Sequence, residues 1–331
     1  MTRYENCSLK PYHTFGMEVK ARRLVEYHSI DELRSLLSEF RGQPLLPVGQ
    51  GSNLLFTRDY DGVILISRMC RARALGETKE DVLIEADGGL VLDELIAQLC
   101  DMNLCGLENL SGIPGTVGAS AVQNVGAYGV EAKDVIRSVR AIEIATGEER
   151  VFTPEECRFG YRDSVFKNEL RGQYIIIAVT YRLTHGGPFS LDYGNLASAI
   201  KGEPTVQKIR EAVLAIRAEK LPDVHRLGSA GSFFKNPVVT SAKFEELHKR
   251  YPQMPYFPQE EGVKIPAAWL IDTLGWKGKK QGGAQVYEKQ PLVLVNTGTA
   301  VPEDVMRLAA AITESVKEQF DIEIYPEVNY I

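Results

Sequence analysis

The 331 residues are 44% hydrophobic and 25% charged, ordinary globular usage that excludes a disordered or fibrous chain; the length passes the roughly 250–300 residues at which one core stops growing, so two or three domains are expected. A formal net charge of −6 argues against broad nucleic-acid or anionic-membrane binding, which reward a positive excess. The five cysteines (Cys7, Cys70, Cys100, Cys105, Cys157) show no CxxC spacing, and neither a signal core nor a run of about 18 apolar residues occurs, so a cytoplasmic protein without a disulfide framework or membrane segment is expected.

Ser29 followed by Leu33, Leu36 and Leu37 at helical spacing predicts an N-capped helix over 30–40. Strand patterns follow at 45–48 and 62–67, then at 82–86, with a helix over 91–102. A glycine-rich stretch runs from Gly106 to Gly129, and strand signals at 139–144 and 174–181 flank a polar segment holding Phe159-Gly160-Tyr161-Arg162. A helix over 206–219 ends at Lys220-Leu221-Pro222-Asp223, where proline forces an extended exit and a domain boundary is expected. Helices near 242–249, 267–274 and 303–320 surround a strand at 291–295.

Gly49-Gln50-Gly51-Ser52-Asn53-Leu54 follows a strand, where uncrowded backbone N–H groups can cradle a phosphate oxygen. It is not the dinucleotide fingerprint, because the third glycine would fall on Leu54, and no P-loop lysine follows. The second loop, Gly112-Ile113-Pro114-Gly115-Thr116-Val117-Gly118-Ala119-Ser120, continues through Asn124 and Gly126-Ala127-Tyr128. Such small residues suit an extended ligand with a pyrophosphate and a flat ring, and suit tight structural turns equally well. None of the five histidines pairs at metal-ligand spacing, so no metal site is expected.

With Gly160-Tyr161-Arg162-Asp163-Ser164, Gly231-Ser232-Phe233-Phe234-Lys235-Asn236-Pro237 and Pro326-Glu327-Val328, these loops stand in the order and approximate spacing of one family. The chain resembles the UDP-N-acetylenolpyruvoylglucosamine reductases over nearly its whole length. The resemblance implies an α+β fold: a two-subdomain FAD-binding fold of the vanillyl-alcohol-oxidase type plus a separate α/β substrate-binding domain. It implies subdomain 1 at 1–70, completed by 321–331, subdomain 2 at 71–220, and the substrate domain at 221–320.

The resemblance also implies a monomeric flavoenzyme of peptidoglycan synthesis, cell-wall biogenesis, cell shape and cell division. It would use non-covalent FAD, with NADPH as co-substrate, to reduce the enolpyruvyl group of a UDP-sugar. Residues Gly49 to Leu54, Ser111 to Thr116, Gly118 to Ser120, Asn124 and Gly126 to Tyr128 are implied to hold the cofactor. Arg162, with its planar fixed charge, would meet the negative charge developing on the substrate carboxylate. Ser232 would donate the proton, and Glu327 would assist if its carboxyl is protonated or bridged. Lys220, Asn236 and an ordered water stand as alternatives for the group that supports Ser232.

Tyr193, Lys220, Asn236 and Gln290 are implied to bind substrate, Tyr193 from a covering loop. The tail Val328-Asn329-Tyr330-Ile331 carries Asn329 where arginine is common in the family, which leaves the tail's contacts open. An FAD oxidase of the same fold acting on a small alcohol, and a flavin-binding module without turnover, are the competing functions.

Overall fold

A computed structural model describes residues 1–331. Contacts group the chain into two units: residues 1–7, 21–50 and 61–219 form one, and residues 8–20, 51–60 and 220–331 form the other. One change between the units falls at Glu219/Lys220, just before Pro222. Residues 8–20 and 51–60 group with the C-terminal unit because Phe15, Met17 and Leu55 are buried in that unit's core, a long-range packing choice that local pattern cannot register.

The larger unit has two main sheets. In the first, Thr2–Ser8, Lys20–Tyr27, Tyr60–Ser67 and Leu45–Val48 lie in that order, the last two parallel with Val48 opposite Ile66. The helix Ile30–Glu39, capped by the Ser29 side chain on Glu32 N–H, buries Leu33, Leu36 and Leu37. The second sheet is antiparallel around the long strand Tyr174–His185, which pairs with Ile136–Glu143 on one side and Asp81–Asp87 on the other.

The largely apolar sequence of that strand has a physical cause: both of its faces are covered. Ile175 and Ile177 join the core containing the first helix, while Ile176, Val179, Tyr181 and Leu183 join the core around Leu92–Asp101. Among the strands the pattern did not predict are Thr2–Ser8, Lys20–Tyr27 and Ala72–Glu77. Thr2–Ser8 and Ala72–Glu77 are largely exposed, and Lys20–Tyr27 interrupts its buried positions with charged residues, so none shows a clean alternation.

The smaller unit carries a sheet ordered Gly228–Ser232, Val293–Asn296, Ala284–Val286 and Lys280–Gln281. Helix Pro302–Phe320 buries Val305, Leu308, Ile312, Val316 and Phe320 in the unit's core with Phe233 and Phe234. The tail pairs Asn329–Tyr330 in parallel with Leu54–Leu55, and Ile331 N–H donates to Leu55 O at 2.9 Å. The tail's contacts are thus with the strand that follows the first glycine loop. All five cysteines are free thiols, and burial pushes Cys100 and Cys157 up to about 12, out of nucleophilic range.

Candidate active site

In the larger unit the two glycine loops approach at Gly49. A methyl in place of its hydrogen would lie 2.7 Å from Thr116 Oγ1, so only glycine lets the chains come this close. Gln50 fastens them, its side-chain carbonyl accepting from Gly115 N–H at 2.6 Å.

The loops differ in what they leave open. No partner takes the N–H of Gly49, Gln50, Gly51 or Asn53. In the second loop the N–H groups are spent internally: Gly112 on Asp93 (2.6 Å), Ile113 on Leu110 O, Val117 on Leu90 O and Gly118 on Gly88 O. Ala119 N–H meets the Thr116 side chain at 3.4 Å. The hydroxyls of Ser111 and Ser120 are buried and turned inward, onto Glu108 O and Val117 O. The first loop therefore keeps backbone N–H groups open, while the second is a braced wall of small residues.

Gly126–Ala127 and Val130–Glu131 form a short hairpin whose two central residues, Tyr128 and Gly129, have φ of +49° and +82°. A tyrosine at positive φ is costly and is tolerated where the surroundings fix it. Asn109 supplies that, its Nδ2 donating to Tyr128 O and to Ser190 O, both at 2.8 Å. The second bond ties the hairpin to the segment bearing Tyr193, whose exposed ring meets Tyr128 edge-on at 6.4 Å.

Arg162 also has a positive φ, +55°, in a turn closed by reciprocal Gly160 and Asp163 backbone bonds. Its Nη2 donates to Gly126 O at 2.6 Å and its guanidinium lies over the Tyr161 ring. Fully buried Asn124 secures the turn, donating to Gly160 O (2.7 Å) and Glu131 (3.0 Å) while accepting from Lys133 N–H. Asn124 is thus a brace that joins the hairpin to the Arg162 turn.

In the smaller unit Ser232 follows Gly231, which has φ +71° at an irregularity in the pairing with Val293–Asn296. Such a bulge re-aims a side chain: Ser232 is exposed while Phe233 and Phe234 are buried. Glu327 lies alongside, its N–H donating to Phe233 O at 2.8 Å. Asn53 joins the pair, its Nδ2 donating to Glu327 O (3.3 Å) and its own carbonyl accepting from Asn329 N–H. The unit therefore gathers the end of the first glycine loop, Ser232 and Glu327, segments far apart in sequence.

Of the remaining expected residues, Asn236 accepts from Ala267 N–H at the start of helix Ala267–Thr273. Gln290 accepts from Leu292 and Val293 N–H in a turn, and Lys220 is the exposed last residue of helix Val206–Lys220. Two residues that pattern did not single out are Asn109, buried between loops, and Arg217, three positions before Lys220 on its helix. That helical spacing was the available signal for Arg217. No group of three His, Cys, Asp or Glu residues is placed to hold a metal ion, and no helix is long and apolar enough to cross a membrane.

The doubly covered antiparallel sheet, the smaller parallel-edged sheet and the glycine loops define an α+β flavin-dinucleotide-binding fold. Residues 21–153 match the family model described as FAD binding domain, and residues 223–331 the model described as UDP-N-acetylenolpyruvoylglucosamine reductase, C-terminal domain. UDP-N-acetylenolpyruvoylglucosamine reductase of Bacteroides fragilis (strain YCH46) is 46% identical over 328 residues, 98% of each chain. The protein of that name from Pseudomonas aeruginosa is 44% identical over 332 aligned positions, again 98% of each. The solved UDP-N-acetylenolpyruvylglucosamine reductase of Thermus caldophilus is 24% identical, with a TM-score of 0.68 over 99% of this chain and 98% of that one, a likeness of fold. The chain belongs to the UDP-N-acetylenolpyruvoylglucosamine reductase family.

Proposed function

We propose that the protein is an NADPH-dependent, FAD-containing reductase that converts UDP-N-acetylglucosamine enolpyruvate to UDP-N-acetylmuramate for peptidoglycan synthesis. The observation that carries this reading is the grouping of Ser232, Glu327 and Asn53 on adjoining segments of the smaller unit. An alcohol oxidase of similar fold has no need of a proton donor and a carboxyl in that arrangement. The two glycine loops would hold FAD, which would supply the hydride-transfer chemistry between NADPH and the enolpyruvyl group.

The chain's own residues do the rest. The open N–H groups of Gly49, Gln50, Gly51 and Asn53 bind the dinucleotide phosphates, and the inward-bonded second loop walls off water with small, rigid residues. Gly49 packs on Thr116 and suits this close approach, since any side chain there would fill it. Arg162, fixed by its turn and by Gly126 O, stabilises negative charge on the substrate carboxylate. Ser232 delivers the proton to the carbon alpha to that carboxylate, and Glu327, half-buried beside it, positions the transfer.

Tyr193 covers the substrate, while Lys220, Asn236 and Gln290 bind its UDP-sugar portion. The finer division into cofactor subdomains 1–70 and 71–220 and a substrate domain 221–320 belongs to the same reading, as do a monomeric state and a cytoplasmic location, where the nucleotide substrates are made.

The test is spectroscopic. Purified protein should show an oxidised-flavin spectrum, bleach anaerobically with NADPH and regain colour on adding UDP-N-acetylglucosamine enolpyruvate. A protein that stays bleached with that compound and regains colour only when oxygen enters would replace this reading with the oxidase.

A further inference from the structure

Tyr128 and Tyr193 meet from two separate segments. Tyr128 stands at the tip of the hairpin that pairs Gly126–Ala127 with Val130–Glu131. Tyr193 stands in an exposed strap, residues 192–195, between half-buried Ser190 and Leu191 on one side and fully buried Leu196 on the other. Leu196 holds the far end of the strap in a small core with Ile209, Val213 and Ile216. Gly194, at φ +65°, turns the strap in open space.

The near end is held by a polar bond. Asn109 Nδ2 carries two protons and spends both, on Tyr128 O and on Ser190 O, 2.8 Å from each. Two carbonyls at that distance require the nitrogen of the amide, because the flipped amide would bring three oxygens together. Asn109 is 1% exposed, so water does not compete for these carbonyls. Its turn, Glu108–Leu110, is itself fixed: Glu108 Oε2 accepts Gly106 N–H at 2.6 Å, Ser111 Oγ donates to Glu108 O at 2.6 Å, and Leu110 is fully buried. Hairpin and strap also touch directly, since a methyl on Gly129 would fall 3.1 Å from Ser190 Oγ and 3.4 Å from Tyr193 Cβ. One buried amide thus joins carbonyls 19 and 81 positions away, and with them the edge-on approach of the two rings.

Resting on the reductase reading above, we propose that Asn109 is a positioning residue for the substrate: it anchors the strap to the Tyr128 hairpin and so sets Tyr193 in place over the UDP-sugar. It touches no reacting atom. A strap released at its near end must be ordered again each time substrate binds, and that entropy is drawn from binding. The chemical steps rest on the flavin, Arg162 and Ser232, and Asn109 donates to neither of those side chains.

The test compares wild type, Asn109→Leu, Tyr193→Ala and the double variant as full-length FAD-loaded proteins. It reads KM and kcat for UDP-N-acetylglucosamine enolpyruvate and the anaerobic bleaching rate at saturating NADPH. Asn109→Leu keeps the side-chain volume and removes both donors. It should raise KM about tenfold, the usual worth of one buried hydrogen bond, while kcat and bleaching stay within about twofold of wild type, the pattern of lost binding rather than lost chemistry. In the Tyr193→Ala background the same change should raise KM by a factor smaller by about threefold or more, because both substitutions act through the strap. If Asn109→Leu does not accumulate as folded flavoprotein, Asn109→Gln, which displaces the amide by one methylene, carries the same comparison.

An unchanged KM in Asn109→Leu overturns the proposal. So does an equal loss of kcat and bleaching at constant KM, and so does a KM effect of the same size with and without Tyr193. A wild-type protein that does not reduce the enolpyruvyl sugar overturns the reductase reading and this role with it, whereas a fully active wild type beside an indifferent Asn109→Leu removes the role of Asn109 alone.

Discussion

In the larger unit the candidate side chains hang on turns closed by polar groups, with Asn124, Tyr128 and Arg162 all at positive φ and braced by buried amides. In the smaller unit Ser232 and Glu327 ride on strand and bridge pairings backed by Phe233 and Phe234. Strained turns fix a guanidinium or a ring in one direction and depend on each hydrogen bond. A strand over an aromatic core depends on packed volume and tolerates changes on its outer face. Orientation in one unit is set by polar bonds, in the other by packing.

Ser232→Ala probes the outer face. It should cut substrate reduction about 10²–10⁴-fold, the usual worth of a general acid, while NADPH bleaching and the melting temperature stay at wild-type values. Stopped-flow absorbance of each half-reaction checks this, and joint loss of both steps would remove Ser232 from the proton-donor role. Phe233→Ala attacks the packing beneath and should cost about 3–5 kcal/mol in denaturant unfolding, since the ring is fully buried. A loss under about 1 kcal/mol would break the contrast drawn between the units.

Asn124→Ala tests the polar unit. Leaving Gly160 O and Lys133 N–H without their partner should cost about 1–3 kcal/mol and slow substrate reduction more than flavin reduction, because the Arg162 turn loses its brace. Equal effects on both half-reactions would argue that Asn124 does not position Arg162.

The smallest effect concerns pH. Burial alone would raise the Asp93 carboxyl, but Arg210 and Gly112 N–H outweigh it and hold the carboxyl below its usual range. Its stabilising contribution is therefore present above the unfolded-state pKa and is lost as pH falls through the lower folded value. Asp93→Asn should lower stability near neutrality by a few tenths to about 1 kcal/mol, given the pair's partial exposure. It should also flatten the acid side of a melting-temperature–pH profile. An acid limb as steep as wild type would show that other carboxyls dominate it.

Much of this was legible in the residues. Ser29 announced the first helix, the apolar residues at 174–181 announced a strand, and Pro222 announced the end of helix Val206–Lys220, because caps, periodicity and proline act within a few residues. The glycine loops and the Arg162, Ser232 and Glu327 segments were likewise visible as motifs in fixed order.

What the residues could not decide was which polar groups were already spent. The open amides of Gly49 to Gly51, the occupied amides of the second loop and Asn124 as a brace follow from contacts that reach from a few to many positions along the chain. Asp93 meets Arg210 across 117 residues, and Asn53 meets Glu327 across 274. Local pattern fixes backbone shape through nearest-neighbour sterics and hydrogen bonds. Whether a donor or a charge remains available to a ligand follows from the assembled tertiary contacts.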